Sequence, residues 1–144
     1  MVIGLRGDQV ASLARALAAD YYVDADGMRE AVHSAQSFNA VHLASAIKVD
    51  FFVAGSDPFE AERLARRIRV ETPLGALWVD TAEHTIVRKL EWYRRGGEES
   101  ERQWRDVQAI IRLQGNDLDR QVLHQWAGTL GVADLLARAL ESAG

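Results

Sequence analysis

Asp50 stands in the run Ile47-Lys48-Val49-Asp50-Phe51-Phe52-Val53, a carboxylate inside an otherwise apolar, strand-like segment. A charge in such a strand is costly unless it is paired, exposed on one face or bound to a cation, so any chemistry is expected there. Lys48 lies on the same strand face, because side chains alternate with a period of two. It either contacts an anionic substrate group or forms an ion pair with Asp50 or Glu83. The Asp24-Ala25-Asp26 spacing also suits a metal, but these acids precede a helical stretch, where carboxylates serve as caps and complement the helix dipole. His33, His42, His84 and His124 never fall at the three- or four-residue spacing of a helical metal pair, and neither a Gly-x-Ser-x-Gly nor a phosphate-cradling glycine loop occurs. Hydrolase and P-loop chemistry therefore gain no support.

The elements that must position Asp50 follow from periodicity. Residues 38 to 55 read as two strands joined by a small-residue turn. Before them come a short strand at Met1–Leu5, a helix with Val10, Leu13, Ala14 and Leu17 on one face, a strand at Tyr21–Val23 and a helix carrying Met28, Ala31 and Val32. Asp8 and Asp24 are the expected N-caps of those helices. Pro58 sits in the first turn of another helix, to Arg67. Ile68–Val70 and Leu77–Val79 flank Thr72-Pro73-Leu74-Gly75, the pattern of a second hairpin. Beyond it every segment is helical: one capped by Asp80 or Thr81 and ended at Gly96-Gly97, one with Trp104, Val107, Ile110 and Ile111, one with Leu118, Val122, Trp126 and Leu130, and a last with Leu135, Leu136 and Leu140. The expectation is an α+β fold in a single domain over residues 1–144, an α/β half to about residue 80 followed by a C-terminal helical bundle from about residue 81.

Composition narrows the partners. The 144 residues are 48% hydrophobic and carry 17 Lys plus Arg against 21 Asp plus Glu, a net charge of −4 that offers no overall positive field to nucleic acid. The one basic cluster, Arg63, Arg66, Arg67 and Arg69, reads as a solvated face near a helix end, and Trp78, Trp92, Trp104 and Trp126 read as packing residues rather than a base-stacking platform. The absence of Cys removes disulfides and thiolate ligands and suits a cytoplasmic setting, and no apolar run approaches the roughly 20 residues of a membrane span.

The hairpin also carries a resemblance. Phe38-Asn39-Ala40-Val41-His42, Ile47 to Val53, Leu77-Trp78-Val79, Ala82-Glu83 and Arg88-Lys89-Leu90, continued by Arg102-Gln103, Arg105-Asp106-Val107 and Leu118-Asp119, resemble a bacterial family of small nucleotidyltransferase-like proteins. In layout they are similar, more distantly, to the nucleotidyltransferase-like toxins of abortive-infection systems. The likeness spans nearly the whole chain as an ordered series of short motifs. It implies a mixed sheet on which an Asp-x-Asp, preceded by a Gly-Ser or Gly-Gly turn, joins a third acid on the neighbouring strand to hold two Mg²⁺ ions and a nucleoside triphosphate. Asp50 matches the third acid. Met1–Leu5 matches the segment just after the Asp-x-Asp, so the Gly-Ser turn and the other two acids would lie upstream of residue 1. The resemblance also implies that Lys89, from its Lys-Leu pair, faces the triphosphate. Asp106 is expected to anchor helix packing or to pair with Arg102.

One carboxylate cannot fill the oxygen shells of two hard cations. The expectation is therefore a nucleotidyltransferase-fold protein that is inactive as given, with Asp50 as a vestigial third carboxylate that binds metal only if partner acids are supplied. Mg²⁺ and nucleoside triphosphate would be cofactors only of a restored site. The alternatives are a fragment or mis-started version of an active enzyme, a site completed by another chain, and a non-catalytic interaction module such as one component of a toxin-antitoxin pair, which would dock through Leu135, Leu136 and Leu140 where these do not, as the helical pattern favours, pack internally. An open sheet edge and exposed apolar surface would favour a homo-oligomer.

Overall fold

Period-two and helical patterning resolve, in the computed structural model, into an α+β fold of seven α-helices, a four-stranded mixed sheet and a two-stranded sheet, described for residues 1–73 and 75–143. The chain divides into two compact units, Met1–Ala61 and Glu62–Gly144. The division falls inside a helix, and it groups the second hairpin with the helical half.

In the first unit, β1 (Val2–Ile3), β2 (Tyr21–Val23), β3 (Ser37–His42) and β4 (Lys48–Val53) form a sheet of order β1-β4-β3-β2. β3 and β4 are the antiparallel hairpin read from the sequence, β2 extends it antiparallel, and β1 adds to β4 in parallel, with Val2 level with Phe52. Helices α1 (Val10–Leu17) and α2 (Ala25–Ser34) supply one side of its core, in which Val10, Met28 and Ala31 are buried with Phe38, Ala40, Phe51 and Val53. Phe38 and Phe51 are cross-strand partners and their rings stack at 4.9 Å. Asp24 caps α2 as expected, its side chain accepting from the Asp26 amide. Asp8 does not cap α1. It lies in a 3₁₀ turn, Gly7–Gln9, that precedes the helix, and its carboxylate accepts from the Arg6 guanidinium instead.

Helix α3 (Pro58–Ala65) begins where Pro58 belongs, with the Asp57 side chain accepting from the Glu60 amide. In the second unit, β5 (Ile68–Thr72) and β6 (Gly75–Val79) pair as the expected hairpin, although Leu74 of its turn lies outside the described residues. Four helices follow: α4 (Ala82–Arg95), α5 (Glu101–Gln114), α6 (Arg120–Thr129) and α7 (Ala133–Ala143). α4 packs on α5 and α6, and α7 packs on α5 and α6. Ile86, Leu90, Val107, Leu123, Leu135 and Leu136 are fully buried. Leu135 and Leu136 of α7 therefore face inward, as internal packing of that stripe requires and docking through it does not. Polar links tie the helices together: Glu83 accepts from the Asp119 amide at the start of α6, and Arg94 reaches Asp134 of α7 at 2.6 Å.

Candidate functional site

Alternation along β4 buries Phe51 and Val53 and turns Lys48, Asp50 and Phe52 to the other face. Register then sets Asn39 opposite Asp50, Val41 opposite Lys48, Ser37 opposite Phe52 and Val2 opposite Phe52 from the other side. The charged pair thus sits on the sheet face away from α1 and α2, one strand in from the open edge of β1. The apolar strand tolerates Asp50 because its side chain is 52% exposed and accepts an ion pair from Lys48 Nζ at 3.1 Å. Lys48 thus pairs with Asp50, one of the two acids considered for it, and Glu83 accepts from the Asp119 amide.

The parallel register has a further consequence. Val2 is level with Phe52, so the position level with Asp50 is the one that precedes Met1 on the same strand. The Met1 amino group donates to the Asp50 carbonyl at 2.7 Å, continuing the ladder in that direction. On the opposite face of the same edge, Ile3, Leu5, Leu13, Ala16 and Phe51 line an apolar depression of about 560 Å³, in the size range of a small-molecule site. Among the described residues, no group of three His, Cys, Asp or Glu side chains converges to hold a metal ion. Asp24 is occupied as a cap and Asp26 pairs with Arg29, which accounts for the Asp-x-Asp spacing as helix chemistry.

Lys89 stands in the second unit. Its ammonium donates to Asp106 at 2.7 Å and to Gln103 at 3.1 Å, linking α4 to α5. Asp106 thus anchors helix packing through Lys89. The hydrogen bond from Lys89, and then its charge, hold the Asp106 carboxyl below the usual carboxylate range.

The structure also reveals a polar cluster at the start of α4 that pattern reading passed over. The Arg63 side chain is 6% exposed and pairs with Asp80 at 3.0 Å, so it is not part of a solvated basic face. Arg66 pairs with Glu62 at 3.0 Å, Arg69 with Glu71, and Arg67 stacks over the Trp78 ring. His84 is buried at the same helix start, its Nδ1 hydrogen-bonded to the Thr81 hydroxyl at 2.8 Å and its Nε2 3.9 Å from Glu62. Burial pushes its pKa below the ordinary value against the opposing pull of Glu62. One signal could have found Arg63: it lies four residues after Phe59 and so shares the apolar face of α3. Trp126 is buried as expected, whereas Trp78 and Trp92 are 59% and 42% exposed and do not belong to the core.

No protein-family model matches the sequence, and no curated protein matches it. Among the described residues, no helix is long and apolar enough to cross a membrane.

Proposed function

We propose that this chain carries one part of a nucleotidyltransferase site, with Asp50 as its third carboxylate, and that the 144 residues alone do not transfer nucleotides. The observation that supports it is the parallel pairing of β1 with β4, which sets the position before Met1 level with Asp50. That is where the resemblance puts the end of the Asp-x-Asp strand. Two acids two residues apart there would share the face of Asp50 and complete an oxygen-rich site for Mg²⁺ and a triphosphate. Lys48 then serves as a stand-in cation for Asp50, to be displaced by metal. Lys89 is the weaker candidate for triphosphate contact, because Asp106 and Gln103 already engage its ammonium.

The test is transfer of label from nucleoside triphosphates to RNA, protein or the chain itself. The expected result is none from the 144 residues; metal-dependent transfer abolished by Asp50→Asn would overturn the proposal. In-frame upstream DNA encoding an Asp-x-Asp and a Gly-Ser would identify the chain as a fragment of an active enzyme, and its absence would favour a degenerate member.

A second reading, a non-catalytic interaction module in a cytoplasmic toxin-antitoxin pair or a homo-oligomer, draws on the open edge of β1 and the apolar depression beside it. Such an edge accepts a further strand from another chain. Light scattering would show a mass above that of one chain, and a monomer throughout the micromolar range would count against it.

A further inference from the structure

We propose that β5 is the pairing edge of a homodimer, in which two hairpins join antiparallel, β5 against β5, about a two-fold axis at Val70. It shares with the interaction reading above only the expectation of self-association, and it uses a different edge in the other unit. The hairpin is exposed along nearly its whole length. Its register sets Ile68, Val70, Leu77 and Val79 on one face, and they are 52%, 38%, 55% and 39% exposed. A lone two-stranded hairpin is marginal in water, whereas three or more strands gain independent stability. Joining two copies makes four strands and merges the two apolar faces into one.

The order of charges along β5 selects the occupant. Arg69 and Glu71 flank Val70, so antiparallel self-pairing about Val70 sets each Arg69 opposite the other copy's Glu71 and each Ile68 opposite the other's Thr72. Centring the pair on Arg69 or on Glu71 would oppose like charges, and a parallel in-register pair would stack Arg on Arg. The edge is thus complementary to itself in one arrangement, the closed, isologous one. Within one chain Arg69 and Glu71 already bridge at 2.5 Å, but their side chains are 56% and 67% exposed. Such a surface bridge contributes little, and exchanging it for two cross-strand bridges costs little. A five-residue edge buries less than the roughly 800 Å² per partner of a standard interface, so the dimer is weak and concentration-dependent.

Sedimentation and light scattering across the micromolar range test it. The full chain is expected to pass from one to two monomer masses as concentration rises. Arg69→Glu and Glu71→Arg each turn both cross-strand pairs repulsive and should raise the dissociation constant roughly tenfold or more. The double variant R69E/E71R restores opposite signs and should recover the dimer, with circular dichroism confirming the fold of all three. A monomer at every concentration overturns the proposal, as does a double variant that stays dissociated. A dimer that neither single swap weakens also overturns it, while leaving association through β1 standing.

Discussion

Asp50 and Lys48 hold one another on an exposed face, and their pairing is cheap to lose. Exposed ion pairs contribute about 0–1 kcal/mol, so Asp50→Asn is expected to leave the denaturation midpoint nearly unchanged. A loss of several kcal/mol would mean that the acid is structural. Arg63 behaves oppositely, because its side chain is buried against Asp80. Arg63→Ala strands that carboxylate and should cost up to about 3 kcal/mol, the lower end for breaking a buried pair, since Asp80 is partly solvated. His84 adds a pH dependence. Its folded pKa lies below the ordinary 6.5, so the unfolded chain binds the proton more readily and stability is lost as pH falls from 6.5 through the folded value. His84→Gln should remove that slope from denaturant midpoints measured between about pH 5 and 7. A wild-type midpoint that is flat in that window would contradict this account. Glu83 titrates lower: burial raises its carboxyl, but hydrogen bonds led by the Asp119 amide outweigh that and leave it below 4.5. Its contribution is present above the carboxylate range and lost as pH falls through the folded value.

The helix caps carry the next level of specification. Asp119 accepts from the Val122 amide and donates its own amide to Glu83, so it both starts α6 and fastens it to α4. Asp119→Ala should cost about 1 kcal/mol for the cap alone, read from thermal or chemical unfolding, and an unchanged midpoint would show the cap to be idle. Much at this scale was legible. The β3–β4 hairpin, the β5–β6 hairpin, the Asp24 and Thr81 caps and the four final helices all follow from period, turn residues and capping chemistry. What escaped reading depended on contacts remote in sequence. Arg63 meets Asp80 across 17 positions, Asp106 meets Lys89 across another 17, and Trp78 falls on an exposed hairpin. Asp8 escaped for a local reason, because Arg6 competes for its carboxylate and a 3₁₀ turn intervenes before α1.

Over the whole chain, the sequence indicated an α+β fold with Asp50 on its sheet and helices to the C-terminus, but not the division at Ala61 and Glu62, which depends on contact density rather than composition. The candidate site was legible as a position and a face; the Lys48 ion pair of Asp50 was among the options that alternation allowed. The inward stripe of α7 makes a clear prediction: Leu135→Ala should destabilise by about 2–5 kcal/mol, as core truncations do, whereas Leu113→Ala, 82% exposed, should move the midpoint by no more than about 0.5 kcal/mol. Comparable losses from the two would show that the helical unit is packed differently. The proposed function makes Asp50 the third carboxylate of a site whose other two acids these residues do not supply. It is tested most directly by calorimetric titration of Mg²⁺ and nucleoside triphosphates into the 144-residue chain and into a version extended upstream through an Asp-x-Asp. Heat of binding is expected from the extended chain alone, abolished there by Asp50→Asn; Mg²⁺-dependent nucleotide binding by the 144 residues themselves would show that Asp50 needs no further acids.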